Sequence, residues 1–285
     1  MGSRARGACL VALAIVAIGC QKVWGFEDFE EGPGVGGAAG AGGAGMGGGA
    51  GAAPCEHPSA PAGMAGVRTQ DGSCVWVDPK EVTRDQYDAF RTTSPAKPQG
   101  CSWNSSLDAP ESTQPASPCL GPGGIADGGA DAGSLDPNLP VTCVDWCDAY
   151  MFCLARGATL CPGQYGKATQ GAWYDACSSG GGNDWPYGKA YEPKRCNDNS
   201  AGAAVLEPVG NKTTCTTPNG IFDLAGNASE WTAACVGESA SDECDTRGGG
   251  PNDDQLGASC EGKVGLARGL GLPTVGFRCC WLPPT

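Results

Sequence analysis

The sequence predicts a loop-rich, disulfide-stapled α+β fold that forms a single domain over residues 67–285. Three observations support this prediction. The chain of 285 residues contains 18 cysteines, a density typical of exported proteins with disulfides. Its 48 glycines and 22 prolines favour turns and loops over long helices. Its eight tryptophans and 40% hydrophobic residues nevertheless indicate a packed core.

Residues 1–19 have the composition of a signal peptide. Arg4 and Arg6 supply basic charge, and an apolar stretch over Ala8–Ile18 follows them. The stretch is too short to span a bilayer, which takes about 20 apolar residues. We therefore expect the chain to be exported.

The export signal ends in Ala17-Ile18-Gly19-Cys20, which resembles a bacterial lipobox. The resemblance implies a lipid anchor on Cys20 and attachment to a membrane through that lipid. Gln21 at the next position implies, by analogy, an outer membrane or cell-surface location. The alternative is ordinary cleavage after Gly19, because an Ala-x-Gly sequence also suits a signal peptidase.

Residues 20–66 are predicted to be a flexible tether between this anchor and the domain. Twelve of the 20 residues from Gly32 to Gly51 are glycine, without the three-residue period of collagen. Such a segment loses too much entropy on ordering to fold without apolar burial. The whole chain has a formal charge of −13, which argues against nucleic acid as a partner.

Three helices are predicted within the domain. Thr83 and Gln86 have the spacing of a capping box, which marks the start of a short helix. Val144–Arg156 carries apolar residues at helical spacing on two faces, a pattern typical of a buried helix, and Gly157 suits its C-terminus. Gly171–Ala176 predicts a third, short helix. The remainder is predicted to form short strands and long loops.

The cysteines are predicted to form structural disulfides. Sixteen remain when Cys9 and Cys20 are set aside, which is an even number. The alternative is a metal cluster, but the chain has no Cys-x-x-Cys pair of the kind that zinc sites use. Cys235 and Cys244 bracket a short polar loop and are predicted to bond to each other; the remaining connectivity stays open.

Four segments occur in an order that suggests a known family, with a fifth, Arg247–Gly249, between the last two. They are Glu81–Tyr87, Pro140–Ala149, Asn219–Trp231 and Gly276–Arg278. Together they resemble the formylglycine-generating enzyme family, also called sulfatase-modifying factors, over about residues 70–281. The resemblance implies a C-type-lectin-like α+β fold. The Cys-Val-Asp-Trp-Cys and Gly-Phe-Arg-Cys-Cys sequences are similar to those of cysteine-rich bacterial surface lipoproteins.

The resemblance also implies structural calcium. One family site takes two side chains and two backbone carbonyls, which correspond here to Asp223, Gly226, Ala228 and Glu230. These are the hard oxygen ligands that calcium prefers. The alternative is a plain turn capped by Asp223. A second family site would begin at Asn197 and Asp198, although the segment that follows is shortened in this sequence.

The copper chemistry of the family is not expected here. Catalytic members hold Cu(I) with two cysteines, separated by four residues, shortly after the Arg-Gly-Gly segment, because thiolates select Cu(I). In this sequence Arg247–Gly249 is followed by Pro251–Asp254, and the next cysteine is Cys260. Cys260 is predicted to be bridged, with a lone reactive thiol as the alternative. The single histidine, His57, rules out a three-histidine iron site.

These observations predict a calcium-stabilised module of the cell envelope without oxidase chemistry. Its partner would be a surface protein or a glycan, an expectation that depends on analogy with the lectin-like fold. A purely structural envelope protein remains an alternative. The other alternative is an oxidase that converts a sulfatase cysteine to formylglycine.

Overall fold

The computed structural model describes residues 54–93, 95–107, 119, 136–202 and 204–284. The predicted signal peptide, Cys20 and most of the predicted tether lie outside these ranges. Three α-helices and eight short strands are present in the described part. The helices are α1 (Arg84–Arg91), α2 (Trp146–Ala155) and α3 (Ala172–Ser178). None of them is long and apolar enough to cross a bilayer.

The two longer helices begin at the residues that cap them. Thr83 accepts a hydrogen bond from the Gln86 N–H, and the Gln86 side chain accepts one from the Thr83 N–H, which confirms the predicted capping box. Asp145 and Asp148 form the same reciprocal pair at the start of α2. Gly157 follows α2 with φ +68°, the left-handed conformation that glycine adopts without strain. The third helix is confirmed close to its predicted position.

The eight strands form two four-stranded sheets. The first has the order β1-β2-β8-β3 and is antiparallel throughout. The second has the order β6-β5-β4-β7, in which only β4 and β7 run parallel. The bounds are β1 Ala65–Arg68, β2 Cys74–Val77, β3 Thr159–Leu160, β4 Ser229–Cys235, β5 Glu243–Arg247, β6 Lys263–Ala267, β7 Val275–Phe277 and β8 Cys279–Trp281.

The core lies between α2 and the sheets. Every residue from Trp146 to Cys153 is buried except Tyr150, which confirms that α2 is apolar on two faces. Phe152 of α2 packs against Tyr87 and Phe90 of α1 and Phe277 of β7, with ring centroids 5.2–6.0 Å apart. Such aromatic contacts add to the free energy of area burial.

All sixteen cysteines in the described residues are in disulfides. Cys235 and Cys244, which the sequence predicts to be close, bond across the β4–β5 pair. The neighbouring residues Cys279 and Cys280 of β8 bond in different directions, to Cys153 on α2 and to Cys161 after β3. The other bonds are Cys55–Cys74, Cys101–Cys147, Cys119–Cys143, Cys177–Cys260 and Cys196–Cys215.

Candidate functional site

A cluster of buried charged side chains lies where β4, β7 and β8 meet. Glu230 of β4 and Arg278, between β7 and β8, have side chains with no exposed surface. Arg278 Nη2 donates to Glu230 Oε1 over 2.6 Å, and Arg278 Nε donates to Glu230 Oε2 over 2.7 Å. Trp173 of α3 adds a third donor, its Nε1 lying 2.8 Å from Glu230 Oε2. The pair is therefore bidentate and fully desolvated.

Two further carboxyl groups are buried beside this pair. Glu81 precedes α1, and Asp223 lies in a turn with φ +57°. Burial raises the pKa of Glu81 well above its usual range, and the nearby Asp223 raises it further. Burial also raises the pKa of Asp223. The hydrogen bond from the Gly210 N–H lowers this pKa, but burial has the larger effect. When all groups are ionised, three carboxylates face one guanidinium, an excess of two negative charges.

A chain of amide side chains links Glu81 to the second predicted calcium site. Asn227 Nδ2 donates to Glu81 Oε1 over 2.9 Å, and Asn197 Nδ2 donates to Asn227 Oδ1 over 3.0 Å. Two buried oxygens of these linked side chains accept no hydrogen bond, Glu81 Oε2 and Asn197 Oδ1. Buried acceptors without donors are costly, so both oxygens are suited to a cation.

The two predicted calcium sites are adjacent. Asn197 pairs with Gly226 in a parallel bridge, and a Cβ atom on Gly226 would lie 2.3 Å from the Asn197 carbonyl oxygen. Only glycine, which has no Cβ atom, lets the two backbone segments come this close. Asp198, however, has both of its carboxylate oxygens bonded, Oδ1 to Ser200 and Oδ2 to the Tyr191 hydroxyl.

The residues present fit calcium only through a mixture of side chains and backbone. Across the described ranges, no group of three or more His, Cys, Asp or Glu side chains is arranged to hold a metal by itself. The predicted set relies on the carboxylates of Asp223 and Glu230 and on the carbonyls of Gly226 and Ala228. Both Glu230 oxygens already accept from Arg278 or Trp173, and one Asp223 oxygen accepts from the Gly210 N–H, so only their remaining lone pairs could face an ion. The excess negative charge and the oxygen donors are what a divalent hard cation requires.

Arg247 of β5 is a structural residue. Its guanidinium is buried and donates to the carbonyls of Lys167, Ala168 and Gln170, at 2.5–3.4 Å. Gly248 and Gly249 then have φ of +85° and +64°, which lets the chain turn sharply. The Arg-Gly-Gly segment therefore anchors the 163–171 loop to the second sheet.

The loop after Gly249 is closed by its own hydrogen bonds. Asp253 accepts from the Gly250 N–H, and Asp254 accepts from the Leu256 and Gly257 N–H groups. At the end of the loop, Cys260 Sγ lies 2.04 Å from Cys177 Sγ. Cys260 is therefore in a disulfide and does not carry a free thiol.

Sequence reasoning did not single out Glu81, Asn227 or Arg278 as members of this cluster. Each lies within one of the segments that resemble the family, but none is among the calcium ligands that the resemblance implies. The sequence does contain a sign of the cluster, because Glu81 and Arg278 are charged residues beside apolar positions in short strand-like segments. A charged side chain that is buried among apolar residues is paired with an opposite charge.

Comparison with known proteins identifies relatives of the chain. It is 30% identical over 158 residues to a Mus musculus protein named inactive C-alpha-formylglycine-generating enzyme 2, a match that covers 50% of this chain and 49% of that protein. The chain thus spans about half the length of this relative.

The fold is shared with solved structures. CarF superimposes with a TM-score of 0.51 at 17% identity, covering 74% of this chain and 87% of CarF. PvdO from Pseudomonas aeruginosa gives a TM-score of 0.47 at 17% identity, covering 76% and 89%. The likeness to CarF concerns the fold alone, and it agrees with the predicted α+β class.

A family match accounts for the four sequence segments and the fold together. It covers residues 63–282, which is most of the chain and includes every strand and helix described above. The chain belongs to the family of sulfatase-modifying factor enzyme 1-like domains.

Proposed function

We propose that the chain is a non-catalytic member of this family that serves the cell envelope as a binding or structural module. One observation carries the proposal. The loop after Arg247–Gly249 offers no thiol, since its first cysteine, Cys260, is bonded to Cys177. Cu(I) is selected by thiolate ligands, and all sixteen cysteines in the described part of the chain are in disulfides.

Two other observations support this proposal. The mouse relative, which matches this chain over 158 residues, is named as an inactive enzyme. The loop that replaces the copper segment is folded on itself by Asp253 and Asp254. As a binding module, the domain would take a surface protein or a glycan as its ligand, and its charge of −13 favours a cationic partner.

The protein is expected to make no formylglycine. It would be incubated with Cu(I), oxygen and a cysteine peptide carrying a sulfatase motif, and mass spectrometry would look for the aldehyde product. A catalytic family member tested in parallel shows that the assay works. Turnover that is lost in Cys260→Ser would contradict the proposal and place Cys260 in an active site, which is the oxidase alternative.

Calcium is proposed as a structural ligand of the buried carboxylate cluster. Asp223, Glu230 and the carbonyls of Gly226 and Ala228 would hold the ion, with the unpaired oxygen of Glu81 beside it. The ion would neutralise the two excess negative charges of the cluster. Its role would be to hold the 223–230 turn against β4.

Calcium is therefore expected to raise the melting temperature relative to chelated protein. At a hundred times the dissociation constant it would add about 2.7 kcal/mol, which corresponds to roughly 5–10 °C for a domain of this size. Differential scanning fluorimetry would measure the shift. Glu230→Gln is expected to lose the response, and the exposed control Glu261→Gln to keep it. If Asp198→Asn alone removes it, the ion belongs to the second site.

Lipidation of Cys20 is proposed as the means of attachment to the envelope, with residues 20–54 as the tether. The predicted tether extends to residue 66, but Cys55 is bonded to Cys74 and Ala65 begins β1, so these residues belong to the domain. The chain in cells should incorporate a palmitate analogue, and Cys20→Ala should not. Gel analysis of labelled cells would compare the two. Equal labelling of both proteins would show that the lipid, if any, is attached elsewhere.

A further inference from the structure

The outer edge of β6 differs from the opposite edge of the same sheet. The order β6-β5-β4-β7 places β6 at one margin and β7 at the other. Every residue of β7 is buried, and its Phe277 carbonyl accepts a hydrogen bond from the Val82 N–H. No residue of β6 is buried, and among the strands that the structure describes only β5 pairs with it. Proteins usually cover or charge such an edge.

Exposed apolar side chains are concentrated around this edge. Val264 of β6 is 57% exposed, and Leu256 and Leu270, which flank the strand in sequence, are 69% and 47% exposed. These are three of the seven large exposed hydrophobic residues found in the described ranges. An exposed valine on an unpaired edge strand, with exposed leucines on either side in the sequence, is what an interaction surface offers.

The backbone of β6 is in the right phase to accept another strand. The Arg268 N–H donates to the Asp242 carbonyl, which makes that pair a hydrogen-bonded one. Because antiparallel pairs alternate along a ladder, Val264 and Leu266 direct their N–H and C=O groups toward β5. Lys263 and Gly265 therefore direct theirs outward, as does the Ala267 N–H, whereas the Ala267 carbonyl already accepts from the Leu270 N–H.

We propose that β6 pairs with β6 of a second copy of this chain, in an antiparallel arrangement with the two-fold axis at Gly265. The sequence of the strand is self-complementary in this register. Gly265 would face Gly265 of the partner subunit, and Val264 would face Leu266 of the partner subunit, twice by symmetry. The outward N–H groups at 263, 265 and 267 and the carbonyls of Lys263 and Gly265 would form the new hydrogen bonds, and the Ala267 carbonyl would be shared with the Leu270 N–H.

Charge favours the same register. Lys263 would face Ala267 of the partner subunit. Within that subunit, Ala267 is paired with Glu243 of β5. The Cα atoms of Lys263 and of the partner subunit's Glu243 would be two strand spacings apart, about 10 Å. A lysine and a glutamate side chain can meet across this distance, because the residue between them is an alanine. Two such contacts would form in the dimer, in addition to the bonds within each copy of Lys263 to Asp245 and of Glu243 to the Tyr165 hydroxyl. They would oppose the repulsion between two copies that each carry a net charge of −13.

Sedimentation velocity on the full chain carrying Cys20→Ala, which needs no detergent, tests the proposal. A single strand pair is a small interface, so loading concentrations of about 1–500 µM are appropriate. We expect a monomer–dimer equilibrium in this range. Val264→Glu should weaken it about 100-fold, because the substitution enters the interface twice. Leu282→Glu, an equally simple change at an exposed residue outside the strand, should not affect it.

A charge reversal, and hydrogen exchange on the chain without interface substitutions, complete the test. Lys263→Glu should weaken the dimer, and adding Glu243→Lys should restore it. Hydrogen exchange of the Lys263, Gly265 and Ala267 amides should slow as concentration rises. A monomer at every concentration, a dimer that survives Val264→Glu, or amide protection that does not depend on concentration would each overturn the proposal.

Discussion

Arg278→Met is expected to reduce the free energy of unfolding by about 3–5 kcal/mol, measured by guanidinium denaturation in excess chelator. The substitution leaves Glu230 buried with the indole N–H of Trp173 as its remaining side-chain donor. Glu81 and Asp223 then lie beside it with no positive charge between them. An uncompensated buried charge is the costly outcome of breaking such a pair, whereas the intact pair itself contributes little net stability.

Arg156→Met is a matched control for this prediction. Arg156 forms a bidentate pair with Asp78, like that of Arg278, but its side chain is 40% exposed. Its loss leaves Asp78, which is 10% exposed and keeps the Cys279 N–H as a donor, and should cost about 1–2 kcal/mol, less than the loss of Arg278. Combining Arg278→Met with Glu230→Gln removes the unpaired charge and should recover part of the loss. Equal costs for the two single arginine substitutions would contradict this account of the cluster.

Joint removal of the two disulfides of β8, Cys153–Cys279 and Cys161–Cys280, by alanine at all four positions, is the second large effect. Both bonds tie the same two segments, so either one alone keeps the long loop closed. With both absent and Cys177–Cys260 still in place, a loop of about 40 residues opens, for which the chain-entropy model gives at least about 4 kcal/mol. Removal of Cys235–Cys244 in the same way opens a loop of only 9 residues and should cost roughly 2.5 kcal/mol. Denaturation of both variants with the other disulfides intact would measure the difference. Equal losses would show that packing around the sulfur atoms outweighs loop entropy.

The helices of this fold could be predicted because their signals are local. The capping boxes at Thr83 and Asp145 each depend on residues three apart, and the burial of α2 follows from its two apolar faces. The Cys235–Cys244 bond was predictable for the same reason, since nine residues separate the two cysteines.

The remaining disulfides and the buried cluster could not be predicted because they depend on contacts between distant segments. Glu81 and Asp223 are brought together by the pairing of β7 with β4 and by the turn at Gly226, which a linear pattern does not encode. The unpaired oxygens of Glu81 and Asn197 likewise appear only in the folded chain. The family resemblance predicts calcium ligands at Asp223 and Glu230, but it does not indicate Arg278, which neutralises Glu230.

The adjacent cysteines of β8 have a consequence for how the chain matures. Four of the eight bonds join cysteines that are consecutive in the sequence, Cys55–Cys74, Cys119–Cys143, Cys196–Cys215 and Cys235–Cys244. Cys153 and Cys161 wait for partners made more than 100 residues later, and meanwhile each is available to the other. A chain oxidised in order of synthesis would therefore acquire wrong bonds. Its yield in the cell depends on enzymatic reshuffling of disulfides, or on folding that precedes oxidation.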